Sequence, residues 1–92
     1  MRDDARIIDV KPEHYFWLRD GRAVKNLNEL AEALRTMSDD VFRHHVNSEK
    51  NDFYNWVRDV FKDSVLAARM RNARTQQKMA SVIQMYERKY YW

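Results

Sequence analysis

The sequence predicts a mainly α-helical protein with a small β element (α+β): an N-terminal β-hairpin packed on a three- to four-helix bundle with a long C-terminal helix. Glycine and proline each occur once in 92 residues, at Gly21 and Pro12. All-β folds require many turns, which consume glycine, proline, asparagine and aspartate. After Gly21, apolar residues recur with helical spacing and no strong breaker interrupts them. The chain is short enough that we expect one domain over residues 1–92.

The hairpin is predicted at residues 14–25. The aromatic run at residues 14–18 favours a strand, and Asp20-Gly21 accepts the positive φ of a tight turn. Ala23-Val24 then provides the return strand. Two strands alone are marginally stable in water, so we expect the hairpin to lie against helices.

Residues 1–13, which precede the hairpin, are expected to form a mobile N-terminus with a short strand at Arg6–Val10. The first four residues include two aspartates and no apolar stretch follows them, which argues against a secretory signal. No apolar run approaches the roughly 18 residues that span a bilayer, so no membrane contact is predicted. These features together indicate a cytoplasmic protein.

A helical body is predicted at residues 26–63, in which each helix follows a residue suited to cap it. Asn26 and Glu29 have the spacing of a capping box before a helix at 27–37. Ser38 precedes a helix at 39–46, and Asn51 or Asp52 precedes a third. The apolar stripes on these helices are Leu27, Leu30, Ala31, Leu34 and Met37; Val41, Phe42, His45 and Val46; and Phe53, Trp56, Val57, Val60 and Phe61. Together with Phe16 and Trp17, these aromatic residues are expected to form the core.

Residues 64–92 are predicted to form a basic C-terminal helix capped by Asp63 or Ser64. Uninterrupted to Tyr90, this helix would be ~40 Å long at 1.5 Å per residue, whereas a compact domain of this size has a radius of gyration near ~12 Å. The helix therefore either breaks near Asn72–Thr75 or projects and needs a partner, most simply a second copy. The candidate interface residues are Met79, Ile83, Tyr86, Tyr90 and Trp92.

The net charge of +3 originates in the last third of the chain. Residues 1–63 carry 11 Lys+Arg and 13 Asp+Glu, whereas residues 64–92 carry six basic residues and one acidic residue. This basic segment has three interpretations: contact with phosphates, contact with an acidic protein, or a solvated helix face. The candidate nucleic-acid-binding residues are Arg69, Arg71, Arg74, Lys78, Arg88 and Lys89, of which Arg71, Arg74 and Lys78 would share one face of an unbroken helix.

Residue types that support catalysis are scarce, and no catalytic residue, metal site or cofactor is predicted. Cysteine is absent, no serine lies in a G-x-S-x-G context, and one glycine cannot build a phosphate-binding loop. The adjacent His44 and His45 point in different directions on a helix, and His45 is expected to be a hydrogen-bonded core residue. The small chain is expected to lack room for a ligand pocket, so no enzyme activity and no small-molecule substrate are predicted.

Four short motifs occur in order over residues 14–70: Asp20-Gly21, N-L-x-E-L from Asn26, His45-Val46-Asn47 and N-D-F-x-x-W from Asn51. This series resembles a family of small archaeal and bacterial domains of unknown function. The resemblance implies an autonomous module and an archaeal source, and it assigns no functional residue.

Two functions follow as expectations. The first is a non-catalytic interaction module that acts through its C-terminal helix, by self-association or with a protein partner. The alternative is a small nucleic-acid-binding protein whose C-terminal basic residues contact phosphates.

Overall fold

The computed structural model describes residues 8–90 and confirms the predicted fold class, mainly helical with an antiparallel hairpin near the N-terminus. The described residues have a Cα radius of gyration of 12.3 Å. The elements in chain order are a 3₁₀ turn (Pro12–His14), β1 (Phe16–Trp17), β2 (Ala23–Val24), α1 (Leu27–Thr36), α2 (Asp39–His45), α3 (Asp52–Trp56), a π-helical turn (Val57–Phe61), α4 (Ser64–Arg71) and α5 (Gln76–Tyr90).

The predicted hairpin is present, and its turn explains the position of the single glycine. Phe16 pairs with Val24 in antiparallel register. The backbone N–H of Gly21 donates to the carbonyl of Leu18 at 2.9 Å, so the loop has three residues and the glycine is the last of them. The φ of Gly21 is 96°, a value that L-residues rarely adopt.

The predicted short strand at Arg6–Val10 is not formed by residues 8–10, and its first two residues lie outside the described part of the chain, as does most of the predicted mobile end. Residues 8–10 instead run alongside the start of α1. The N–H of Val10 donates to the carbonyl of Lys25 at 2.8 Å, and Asn26 Nδ2 donates to Asp9 Oδ1 at 2.8 Å.

Each helix of the body begins at a predicted cap, where a side-chain oxygen accepts a hydrogen bond from a backbone N–H three residues on. The capping residues are Asn26, Ser38, Asn51 and Asp63. Glu29 differs slightly from the capping-box expectation, because its Oε1 accepts from the N–H of Lys25, one residue before the cap. Local hydrogen bonds thus define where each of these helices starts.

The third helix is not regular over its full apolar stripe. α3 ends at Trp56 and continues as the π-helical turn, which ends at Lys62 in the left-handed conformation with a φ of 59°. The indole Nε1 of Trp56 donates to the carbonyl of His14 at 2.7 Å and joins this helix to the N-terminal segment.

The basic helix predicted over residues 64–92 is not continuous. The chain turns at residues 72–75, and this turn separates α4 from α5. This is one of the two alternatives that its length allowed. Oγ1 of Thr75 accepts from the N–H of Lys78 at 3.1 Å and starts the new helix. The side-chain amide of Gln76 donates to the carbonyls of Leu34 and Met37, so the start of α5 is held against the end of α1.

The core lies where α5 packs against α1 and where α4 packs against α3 and α5. Its fully buried large side chains include Leu27, Leu30, Leu34, Phe53, Val57, Leu66, Met70, Met79 and Ile83. The expectation that Trp17 belongs to this core is wrong, because 61% of the surface of this residue is exposed. Successive strand residues point to opposite faces, so Phe16 and Leu18 face inward and Trp17 faces outward.

Candidate functional site

The break at residues 72–75 separates the basic residues that an unbroken helix would have aligned. Arg71 ends α4, Arg74 lies in the turn and Lys78 lies in the first turn of α5, so the predicted common helix face of these three residues is not formed. All six candidate nucleic-acid-binding residues are nevertheless exposed. Among residues 8–90, none of the six forms an ion pair with a carboxylate.

A groove of about 450 Å³ lies between α4 and α5, and we call it the α4–α5 groove. It is lined by Arg69, Asn72, Ala73, Gln77, Lys78, Ser81, Val82 and Met85. Its apolar part is formed by Ala73, Val82 and Met85, while Arg69 and Lys78 supply positive charge from the two helices. The groove therefore combines an apolar surface with cations that have no acidic partner in the described chain.

Met85 is the most exposed large apolar side chain of the described residues, with 70% of its surface accessible. Met85 is exposed because the side of α5 that faces α1 is already occupied by Met79 and Ile83. Met85 lies two residues after Ile83 and therefore projects from the outer side of the same helix.

The predicted interface residues do not form one exposed surface. Met79, Ile83 and Tyr86 are buried in the chain's own core, and Tyr90 is exposed. Trp92 lies outside the described residues. The apolar stripe that would have needed a partner on a projecting helix is covered by α1, because the break allows α5 to fold back.

The C-terminal end of α5 is joined to the start of α4 through Tyr86. Its hydroxyl donates to Oδ1 of Asp63 at 3.0 Å, and the guanidinium of Arg69 lies 5.6 Å from its ring centroid. Burial and the hydrogen bond to Asp63 raise the pKa of Tyr86 to about 12. The ring centroid of Tyr90 lies 4.5 Å from that of Tyr86, so the exposed Tyr90 lies against the buried Tyr86.

A second and larger cavity lies between α1, α2 and the start of α5, and we call it the arginine cleft. Its volume is about 810 Å³, which is contrary to the expectation that the chain lacks room for a ligand. Its lining residues are Leu34, Arg35, Asp39, Phe42, Arg43, Val46, Asn47, Ser48, Arg74, Thr75, Gln76 and Gln77. The cleft exists because the turn at residues 72–75 brings the start of α5 beside α2.

The three arginines of this cleft come from α1, α2 and the turn before α5, and sequence reasoning singled out only Arg74. Arg74 Nη2 donates to the carbonyl of Asn47 at 2.5 Å, and Arg35 Nη2 donates to Oε1 of Gln84. Arg43 Nε pairs with Asp39 at 2.7 Å on the exposed surface of α2. Residues this far apart in the sequence carry no spacing signal that would have grouped them.

His45 is the buried histidine that the sequence places in the core, and both of its ring nitrogens are engaged. Nε2 accepts the backbone N–H of Arg19 at 3.0 Å, and Nδ1 lies 3.0 Å from Oδ2 of Asp52. An accepting Nε2 carries no proton, so the proton is on Nδ1 and is donated to Asp52. Because the N–H of Arg19 occupies Nε2, this imidazole is arranged to hold the hairpin loop on α2, not to transfer a proton.

Asp52 also accepts a hydrogen bond from Nζ of Lys50 at 3.0 Å. Partial burial opposes ionisation of this carboxyl, but the hydrogen bonds from His45 and Lys50 outweigh it and hold the pKa of Asp52 below its ordinary value. Within residues 8–90, no three histidine, aspartate or glutamate side chains are grouped closely enough to hold a metal ion.

The outer face of the hairpin carries exposed aromatic surface that the sequence interpretation missed. The ring centroids of Tyr15 and Trp17 are 6.4 Å apart, and Nζ of Lys25 lies 5.7 Å from the Tyr15 centroid. The alternation of inward and outward residues in a strand was the available signal, because it assigns Trp17 to the face opposite Phe16.

No helix within residues 8–90 is both long and apolar enough to cross a bilayer.

Comparisons with family models, with curated proteins and with solved structures each found no match to this chain. The family resemblance over residues 14–70 therefore stays a prediction, and function is inferred from the geometry described above.

Proposed function

We propose that this chain is a non-catalytic interaction module that binds an acidic, amphipathic segment of a partner protein in the α4–α5 groove. The observation that carries the proposal is the exposed Met85 in a groove that also presents Arg69 and Lys78. Exposed apolar surface beside charged groups is typical of protein interaction sites. The two cations favour carboxylates on the partner, because complementary charge selects the partner and speeds association.

Charge also argues for a different protein over a second copy of this chain. Two copies that met through the same groove would bring Arg69 and Lys78 of both chains together, and like charges at an interface are unfavourable. A partner helix with apolar residues at i, i+3, i+4 and i+7 and glutamates beside them satisfies both the apolar surface and the cations. Self-association is thus an outcome that the experiment must be able to reveal.

The test uses a synthetic amphipathic peptide with leucines at those positions and flanking glutamates, labelled for fluorescence anisotropy. A second peptide has glutamine in place of each glutamate. We expect the acidic peptide to bind the full chain more tightly than the neutral peptide. We expect Met85→Glu to weaken binding at least ~10-fold, because it places a carboxylate on the apolar surface of the groove.

Val65→Glu is the matched control, since Val65 on α4 is also exposed but does not line the groove. Lys78→Glu reverses a charge in the groove and should weaken binding of the acidic peptide, and Arg88→Glu, which reverses a charge outside the groove, is its control. Equal losses in the Val65 and Met85 variants would contradict the proposal, as would equal affinity for the two peptides. A concentration-dependent dimer that Met85→Glu abolishes would assign the groove to a second copy.

Nucleic-acid binding is the second candidate, and the exposure of all six predicted basic residues favours it. With about six phosphate contacts, affinity for a random-sequence duplex falls on the order of 10³-fold between ~50 and ~200 mM salt. Deleting the chain from Ala73 onward would remove four of the six basic residues, but it would also remove Met79 and Ile83 from the core and is therefore unsuitable as a test.

Charge substitutions on the exposed surface test this candidate without removing core residues. The triple variant Arg71→Gln, Arg88→Gln and Lys89→Gln changes only exposed residues outside both cavities. If these residues contact phosphates, the variant lowers the slope of log K against log salt by roughly 0.9 for each contact. An absence of duplex binding at low salt would exclude this candidate.

A further inference from the structure

We infer that the arginine cleft is a second binding site, distinct from the α4–α5 groove, and that it takes a phosphate monoester of nucleotide size. The cleft has a volume of about 810 Å³, within the range of small-molecule sites. It does not depend on the proposed partner groove, because the two cavities share only Gln77 among their lining residues.

The charge of the cleft points to an anion. Its lining includes three guanidinium groups and one carboxylate, Asp39, which leaves an excess of positive charge. Within residues 8–90, Arg35 and Arg74 form no ion pair with a carboxylate. The one ion pair in the cleft, Arg43 with Asp39, is exposed, and such pairs are weak enough for a ligand to compete with them.

The hydrogen bonds of Arg35 and Arg74 orient these side chains without neutralising them. Arg35 donates to the side-chain carbonyl of Gln84 on α5, and Arg74 donates to the main-chain carbonyl of Asn47 in the loop after α2. Both acceptors are uncharged. A guanidinium has five N–H donors in a planar fork, so each arginine retains donors for a ligand. Planar arginine forks match the oxygens of a phosphate in bidentate geometry.

The rest of the cleft suits a ligand that is more than a phosphate ion. Leu34, Phe42 and Val46 form an apolar floor to the cleft, and only a small part of each side chain is accessible. Ser48 and Thr75 add hydroxyl groups. A ligand with a phosphate beside an apolar or aromatic portion uses both kinds of surface, and a nucleoside monophosphate has this chemistry.

The experiment follows the backbone amides of the ¹⁵N-labelled full chain during titration with adenosine 5′-monophosphate. Inorganic phosphate, adenosine and glutarate are titrated in parallel. We expect the monophosphate to shift the amides of Ser48, Thr75 and Gln77 and to bind more tightly than adenosine, which lacks the phosphate. Glutarate that binds as tightly as the monophosphate would overturn the assignment to phosphate, as would an absence of shifts at millimolar ligand.

Arg35→Gln and Arg74→Gln are each expected to weaken binding of the monophosphate at least ~10-fold, because each removes a charged donor. Arg58→Gln removes the same charge from the π-helical turn, outside the cleft, and should leave the affinity unchanged. Thermal melting confirms that the three variants fold. Equal weakening in all three variants would show nonspecific charge attraction and would overturn the site.

A phosphate monoester has two sources, a free nucleotide and the end of a nucleic acid, and a further titration distinguishes them. A 5′-phosphorylated tetranucleotide is compared with the monophosphate and with the same tetranucleotide lacking the phosphate. Tighter binding of the phosphorylated tetranucleotide, with loss in Arg35→Gln, assigns the site to a nucleic-acid end. Tighter binding of the monophosphate assigns it to a free nucleotide. Equal binding of the two tetranucleotides would overturn the assignment to a nucleic-acid end, because the terminal phosphate would then contribute nothing to binding.

Discussion

The hydroxyl of Tyr86 donates a hydrogen bond to Oδ1 of Asp63, the same carboxylate oxygen that accepts the N–H of Leu66 and caps α4. One oxygen therefore joins the beginning of α4 to the last turns of α5, across the break that divides the basic segment. This contact adds a polar link to the packing between the two helices that form the α4–α5 groove.

The coupling between Asp63 and Tyr86 is measurable in a double-mutant cycle. We expect the Asp63→Ala and Tyr86→Phe substitutions to be non-additive by about 1–2 kcal/mol in the free energy of unfolding, because a hydrogen bond to a charged group is lost only once. Urea denaturation of the four proteins gives the coupling. Additive effects would show that the contact contributes nothing beyond the separate roles of the two residues.

Alkaline pH should destabilise the protein through Tyr86. Its pKa is raised to about 12 in the folded chain, from about 10 for an ordinary tyrosine. The folded state thus holds a proton that the unfolded state releases, and stability falls as the pH rises from about 10 through 12. Melting temperatures across this range should fall more steeply for the native chain than for Tyr86→Phe. Parallel pH profiles would contradict the assignment.

Acid should destabilise the protein through Asp52. Its pKa is lowered in the folded chain, so the unfolded state binds the proton more readily, and stability is present above about pH 4 and lost as the pH falls through the folded-state pKa. Asp52→Asn keeps an acceptor for Nδ1 of His45 but removes the charge. We expect its acid unfolding profile to be shallower than that of the native chain, as followed by circular dichroism. An unchanged profile would assign acid sensitivity to other carboxylates.

Backbone conformation predicts opposite effects at two positions. Lys62 has a φ of 59° at the end of the π-helical turn, so Lys62→Gly should stabilise the chain by up to about 1 kcal/mol, with Lys62→Ala close to neutral. Gly21 has a φ of 96°, and a Cβ there meets nothing within 4 Å. Gly21→Ala should therefore destabilise by about 1–2 kcal/mol through backbone strain alone. Denaturant midpoints of the variants test both; a destabilised Lys62→Gly would contradict the first expectation.

The starts of the helices and the position of the hairpin were determined by the sequence itself. Asn26, Ser38 and Asp63 cap helices through bonds to backbone groups three residues away, and Gly21 adopts a turn conformation that other residues avoid. These are local interactions, so the residue types and their spacing are sufficient to predict them.

The surfaces of the molecule were decided by the tertiary structure. Met79 and Met85 lie on one helix, yet one is buried under α1 and the other is exposed, because only the fold determines which face of α5 is covered. Arg35, Arg43 and Arg74 meet at one cleft because the chain turns back after α4. Such groupings join residues distant in sequence, and periodicity describes only neighbours along one helix. The sequence thus determined where the helices start and where the hairpin turns, and packing between the elements decided which residues are available to bind.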